Sequence, residues 1–222
     1  KHEVSLVIGC TNGVGNNITL KLLSKGQQVI GVDKDYLNTT DSNFRFLKCD
    51  ISKADNFSSC LSAIDLSTVK TIFFTAGVHS TLSASNNKGL SIAEDLMKTN
   101  FYPHIVLMQE VLMKRVKVNV YILASLSSSI GLPFQQAYGA SKSAMQNFYE
   151  SISYELKESG CSATLYRLGA IDTGFNAKGN ISTERASYNI IRLYSKSIKK
   201  INGKNQISSI KLAKAIVDYS ET

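Results

Sequence analysis

The stretch Val4-Ser-Leu-Val-Ile8, followed by Gly9-Cys-Thr-Asn-Gly13-Val-Gly15, decides how this chain folds. The apolar run reads as a strand, and three glycines turn it into an amphipathic helical stretch, Val14–Ser24. Such a turn leaves the helix's first N–H groups, at the positive end of its dipole, facing space clear of side chains, which suits a pyrophosphate. Gly9, Asn12, Gly13, Val14 and Gly15 are therefore candidate cofactor contacts. Asp33 closes the next strand 18 residues after Gly15, a spacing that fits a carboxylate on the ribose hydroxyls of a dinucleotide. A carboxylate there repels a 2′-phosphate, so NAD(H) is the preferred cofactor. Lys34, next in sequence, keeps NADP(H) as the alternative.

Outward from this unit the pattern repeats. Val29–Val32, Phe44–Cys49, Thr71–Thr75, Val118–Ala124 and Ala163–Leu168 read as further strands. Helical periodicity covers Asp55–Leu66, Ile92–Met113 with a break near Pro103, Tyr138–Glu158, Ser187–Lys199 and Ser209–Tyr219. Apolar strands alternating with helices predict an α/β fold: a doubly wound, Rossmann-like parallel sheet of six or seven strands with helices on both faces. At 222 residues with 43% hydrophobic content, residues 1–222 form one domain, with a substrate-covering segment at about 173–205.

Apolar runs fall far short of the roughly 20 residues that cross a bilayer, and no apolar leader precedes the first strand. The cytoplasm is the expected compartment. Cys10, Cys49, Cys60 and Cys161 are scattered without CxxC spacing, which argues against zinc and against a disulfide framework; no metal is expected. The formal charge of +8 lacks any helix-turn-helix or base-stacking signature beside it, so nucleic acid is not an expected partner.

A second constellation lies at Tyr138-Gly-Ala-Ser-Lys142, where i,i+4 spacing puts a phenol and an ammonium one helical turn apart. An ammonium at about 4 Å in an effective dielectric of about 20 offers roughly 4 kcal/mol, enough to pull a tyrosine pKa from about 10 towards neutrality. Such a tyrosine trades protons with a substrate oxygen. Ser125 ends the Val118–Ala124 strand, where the carboxyl ends of parallel strands meet ligands. Ser127 and Ser128 compete with it for that place.

From the first strand to about Thr173 the chain resembles the short-chain dehydrogenase/reductase family. The resemblance rests on Gly9, Gly13 and Gly15 in a Gly-x-x-x-Gly-x-Gly turn, on Asp50-Ile51 after the third strand, and on Asn100, Ser125, Tyr138 and Lys142 in the order of a catalytic tetrad. It implies an NAD(P)-dependent oxidoreductase acting on a small-molecule carbonyl or alcohol. By this resemblance Tyr138 is the acid/base, Lys142 lowers its pKa and holds the nicotinamide ribose, Ser125 polarises the substrate oxygen and Asn100 anchors a proton-relay water. Asp50 and Ile51 would meet adenine, and Ile171 and Thr173 the nicotinamide carboxamide. Ala76 and Gly77 would keep the fourth strand close to the cofactor.

The family's Asn-Asn-Ala-Gly reads Phe74-Thr75-Ala76-Gly77 here, and its Pro-Gly reads Leu168-Gly169, which predicts a looser adenosine-side wall and last cofactor loop. His79 is expected at the surface rather than on substrate, while Gln135 and Gln136 bear on substrate choice. Apolar stripes at Ala144, Phe148, Ile152 and Leu156 and at Ile105, Met108 and Leu112 fit the helix pair through which the family assembles, implying a homodimer or homotetramer. A basic cluster, Arg192, Lys196, Lys199, Lys200, Lys204, Lys211 and Lys214, admits an anionic substrate or a solvated face. The competing readings are a dinucleotide-binding sensor without turnover and a nucleic-acid binder.

Overall fold

The computed structural model describes residues 3–168, 171–172 and 207–221. In chain order they form β1 (Val4–Ile8), α1 (Gly13–Ser24), β2 (Gln28–Asp33), β3 (Phe44–Lys48), α2 (Ala54–Ser62), β4 (Val69–Phe74), α3 (Gly89–Asn100), α4 (Tyr102–Met113), β5 (Asn119–Ser125), α5 (Gln136–Ser151), α6 (Ser153–Glu158), β6 (Ser162–Leu168), β7 (Ile171–Asp172), β8 (Ile207–Ser208) and α7 (Ser209–Ser220). The main sheet has six strands in the order β3-β2-β1-β4-β5-β6, and every neighbouring pair is parallel. β7 and β8 pair separately.

Period-2 alternation divides the apolar strand residues between two cores. Leu6 and Ile8, Ile30 and Val32, Ile72 and Phe74, and Val120 and Ile122 face one, where α2, α4 and α5 add Phe57, Leu107 and Met145. Val7, Val29, Phe73 and Tyr121 face the other, closed by Ile18 and Leu22 of α1 and Ile216 and Val217 of α7. Each fully buried side chain of this kind contributes roughly 1.5–3 kcal/mol, which is why these strands carry almost no polar alternation.

The predicted sheet and layers are those observed, and the helix boundaries differ for identifiable reasons. The stretch Ile92–Met113 is two helices, broken at Phe101 (φ −129°, ψ −54°). Pro103 falls in the first turn of α4, where its missing N–H costs nothing. The stretch Tyr138–Glu158 begins at Gln136 and is interrupted at Ile152. α2 stops at Ser62 because Asp65 starts a short 3-10 turn, its carboxylate accepting from Ser67 N at 3.1 Å. The helix expected at Ser187–Lys199 lies outside the described residues.

The strand order reverses beside β1, so the chain crosses over in opposite senses from β1 and β4. This opens a crevice at their carboxyl ends. Gly9 N donates to Val32 O (2.8 Å), and Thr75 N and Ala76 N donate to Ile8 O (2.9 and 3.0 Å), so three strand ends are tied around that crevice.

Candidate active site

The glycine turn sits at the crevice. Asn12 is the N-cap of α1 with extended backbone, its side chain makes no capping bond, and the first turn holds no acid, so the helix's N-terminal donors are not neutralised from within. That is what an anion at this end requires. Gly9 has φ +90°, and a Cβ there would lie 2.5 Å from Ala76 N. A Cβ on Gly15 would drive into the Gly9 carbonyl and the Thr75 hydroxyl. Gly15→Ala should therefore cost about 3 kcal/mol, because backbone and not a flexible side chain must yield. Thermal denaturation would register this as a fall of roughly 6–12 °C.

Thr75 corrects one expectation. Its hydroxyl lies 2.9 and 3.0 Å from the carbonyl oxygens of Ile8 and Gly9, so the residue standing where the family has Asn ties β4 to β1 and to the turn. The segment after β4 is braced, not loosened. The companion expectation, at Gly169, lies outside the described residues.

Asp33 also does more than end a strand. Its Oδ2 accepts from Thr11 N (3.0 Å) and Thr11 Oγ1 (2.7 Å), and its Oδ1 accepts from Lys34 N (2.8 Å). It thus holds the glycine turn against β2. Asp50 accepts from Ser52 N and Oγ at 3.1 and 2.7 Å, bonds that hold its carboxyl below the usual range and shape the approach to α2. Val14 and Ile51 bury their side chains in the two cores, so contact between either and a ligand would come from main chain. Ala76 and Gly77 are half-buried beyond β4. Ile171 is in β7, and Thr173 lies outside the described residues.

Ser125, Tyr138 and Lys142 come together where α5 packs on the end of β5. The Tyr138 phenol is buried and hydrogen-bonded to the Ser125 side chain, which also accepts from Ser127 N at 3.1 Å. The competing serines are turned elsewhere: Ser127 Oγ donates to Gln135 Oε1 (3.2 Å), and Ser128 Oγ donates to Ser125 O (2.6 Å).

The expected pull of Lys142 on the phenol is not what the structure shows. Burial raises the Tyr138 pKa above its ordinary value, and the opposing influence is the Ser125 hydrogen bond. Lys142 Nζ instead donates to Leu123 O on β5 at 3.0 Å, and burial lowers its own pKa to about 8. The i,i+4 spacing brings the two residues onto one helix face without aiming the ammonium at the phenol oxygen.

Asn100 is fully buried at the end of α3. Its Oδ1 accepts from Val78 N (2.8 Å), and its Nδ2 donates to Val78 O (2.9 Å) and Ser141 Oγ (3.0 Å). Both amide hydrogens are committed, so its side chain has no donor left for a water. It clamps the segment after β4 to α5, and Ser141, which sequence reasoning passed over, receives that clamp.

His79 is the other departure. It is half-buried, and its ring meets the Tyr138 ring edge-on with centroids 4.6 Å apart. A hydrogen bond to Gln135 holds it, and burial lowers its pKa. Gln136 Nε2 donates to Leu82 O at 2.9 Å, so it braces the same loop. Within the basic cluster, Arg192, Lys196, Lys199, Lys200 and Lys204 lie outside the described residues, and Lys211 and Lys214 are exposed on α7. Among the described residues no group of three or more His, Cys, Asp or Glu could hold a metal, and no helix is long and apolar enough to cross a membrane.

A parallel sheet in the order 3-2-1-4-5-6 with a glycine turn at its switch point defines a Rossmann-type dinucleotide-binding protein. The sequence profile of the short chain dehydrogenase family matches residues 3–184, and the chain belongs to that family. It is 26% identical over 191 residues to bovine (Bos taurus) retinol dehydrogenase 8, covering 78% of this chain and 60% of that protein. It is also 26% identical over 195 residues to the 3-oxoacyl-[acyl-carrier-protein] reductase FabG of Buchnera aphidicola, covering 81% and 78%. Among solved structures, a short chain dehydrogenase family protein from Francisella tularensis superposes with a TM-score of 0.80 at 21% identity, covering 98% of this chain and 90% of the other. A 4-hydroxyisoleucine dehydrogenase complexed with NADH superposes with a TM-score of 0.80 at 17% identity, covering 100% and 91%. A Burkholderia cenocepacia short chain dehydrogenase in complex with NADP gives 0.77 at 17%, covering 100% and 85%.

Proposed function

We propose that this protein is an NAD(P)-dependent oxidoreductase that interconverts a carbonyl and an alcohol, with Tyr138 as the general acid/base. The observation that carries the reading is the buried Tyr138 phenol hydrogen-bonded to Ser125 at the carboxyl edge of the sheet, one helical turn from Lys142. Gly9, Asn12, Gly13 and Gly15 would hold the dinucleotide's phosphates, Asp33 its ribose, Asp50 its adenine, and Ala76, Gly77, Ile171 and Thr173 would flank the remainder. When bound, the nicotinamide supplies or accepts the hydride. Tyr138, its pKa raised by burial, holds its proton at neutral pH and gives it to the substrate oxygen during carbonyl reduction. Ser125 orients that oxygen, and Asn100 fixes the α5 helix that presents both Tyr138 and Lys142. His79 packs on the phenol ring and limits its rotation. Following NADH and NADPH oxidation against a panel of ketones tests the reading; dinucleotide binding with no turnover across the panel would sink it.

NADH is the preferred form in this reading, since the Asp33 carboxylate ends β2 where a 2′-phosphate would enter. The Asp33→Ser variant should lose roughly tenfold in NADH-over-NADPH preference, about 1.4 kcal/mol of discrimination. Because Ser also surrenders part of the Thr11 brace, both affinities should fall. Tighter NADPH binding by the unaltered protein, measured by fluorescence titration, would overturn the preference.

The same reading places the protein in the cytoplasm, in keeping with four free cysteines, and gives it a small-molecule substrate. Met108 and Leu156 are spent in the protein's own core, whereas Ile105, Leu112, Ala144 and Phe148 stay half-buried on α4 and α5. A homodimer through these helices is the assembly they favour. Sedimentation at micromolar concentration should return twice the chain mass, and a monomer there would remove the dimer.

A further inference from the structure

Two of the four free cysteines share a cavity away from Tyr138. Cys49 follows β3 and is buried; Cys60 is on α2 and half-exposed. Their thiols influence each other's titration, the pKa of Cys60 being lowered and that of Cys49 raised. Cys49 Sγ donates to the carbonyl oxygen of Asn56 at 3.6 Å, one helical turn before Cys60, so it is seated on the face of α2 that carries Cys60. The cavity, about 440 Å³, is lined by both cysteines together with Lys34, Lys48, Asp50 and Asn56. Its size is in the range that holds small molecules, and its two lysines favour an anionic one.

We propose that Cys49 and Cys60 form a dithiol site that an anionic low-molecular-weight disulfide of the glutathione class converts to a reversible Cys49–Cys60 disulfide, cross-linking the end of β3 to α2 beside Asp50. The Cys60 thiolate attacks one sulfur of the small disulfide, forming a mixed disulfide and expelling a thiolate that takes up a proton. Cys49 then loses its proton, attacks the Cys60 sulfur and expels the second small thiol. Two protein thiols are oxidised and one small disulfide is reduced to two thiols. Cys60 is the attacking residue because it is the more exposed and because the neighbouring Cys49 thiol and the Arg45 guanidinium favour its thiolate and hold its pKa down. Cys49, buried and with its pKa raised, is the resolving residue. In a reducing compartment such a bond is transient.

The thiol chemistry stands apart from the proposed activity, but its consequence for the cofactor rests on the assignment of Asp50 and Ile51 to adenine. The cross-link closes residues 49–60 into a loop around those residues. The oxidised protein should then bind NADH several-fold more weakly.

Reduced, desalted protein incubated with glutathione disulfide is read by thiol titration and peptide mass mapping. Two of the four thiols should disappear, the peptides carrying Cys49 and Cys60 should be recovered as one linked species, and dithiothreitol should restore both. Cys49→Ser should stop at a glutathione adduct on Cys60, and Cys60→Ser should slow reaction at Cys49 at least tenfold. Persistence of all four thiols, a cross-link through Cys10 or Cys161, or an adduct on Cys60 in the unaltered protein without the second step would overturn the site. A formed cross-link that leaves NADH affinity unchanged would overturn its coupling to the cofactor while leaving the dithiol in place.

Discussion

Tyr138→Phe should lower turnover by about 10²- to 10⁴-fold, the span that a positioned proton donor supplies, while changing dinucleotide affinity by no more than a few-fold. The substitution removes one oxygen from a buried position and leaves the ring, so the edge-on contact with His79 and the packing of α5 survive. Ser125 loses its phenolic partner but still accepts from Ser127 N, which limits the stability cost to about 1 kcal/mol. Kinetics, fluorescence titration and melting on the same preparation separate these effects. Loss of turnover with intact binding and melting assigns the phenol to the chemical step. A fully active Phe variant would remove Tyr138 from the mechanism, and loss of all three properties would mean that the phenol is structural.

What could be read before the structure was whatever depends on spacing along the chain. The glycine turn, the strand-ending Asp33 and the Tyr138 to Lys142 interval are local patterns, and the parallel sheet follows from the alternation of β-branched runs with helices. What escaped was set by contacts between distant segments. Asn100 meets Val78 and Ser141, 22 and 41 residues away, and no periodicity announces such a clamp. Thr75 reaches the carbonyls of Gly9 and Ile8, in the turn and at the end of β1, 66 and 67 positions earlier, so a departure from the family pattern looked like weakness when it is a different tie. The break at Phe101 separates the fully buried Asn100 from the new helix that carries Pro103 in its first turn. His79 looked like a surface residue because its burial is supplied by Tyr138 and Gln135, both more than 50 residues away. Spacing correctly placed Tyr138 and Lys142 on one face, but a lysine's four-carbon stem lets its ammonium choose its acceptor, and here the acceptor is a β5 carbonyl.

That choice makes Lys142 a residue the fold tolerates at a cost. Burial lowers its pKa from 10.5 to about 8, so the folded protein disfavours the charged side chain by roughly 3 kcal/mol relative to the unfolded chain. Below about pH 8 both states hold the proton and the full penalty applies. Between about pH 8 and pH 10.5 the unfolded chain keeps a proton that the folded protein has released, so this residue's contribution makes stability rise with pH. Lys142→Met keeps the stem's volume, removes the charge and loses the Leu123 hydrogen bond, worth about 1 kcal/mol. The variant should therefore be more stable than the parent at pH 7 by roughly 2 kcal/mol, or roughly 4–8 °C in melting temperature, with the gain shrinking towards pH 10.5. Turnover should move the opposite way, falling about 10²-fold or more at pH 7, because the buried ammonium that the family resemblance gives to the nicotinamide ribose is gone. In the unaltered protein the same titration predicts that kcat/KM for carbonyl reduction falls as the pH rises through about 8, as Lys142 gives up its charge. Melting curves at pH 7 and pH 10 together with a pH-rate profile read all three. A Met variant that is less stable than the parent at pH 7 would mean that the lysine's bonds outweigh its burial; a flat profile through pH 8 would mean that its charge does not act in the reaction.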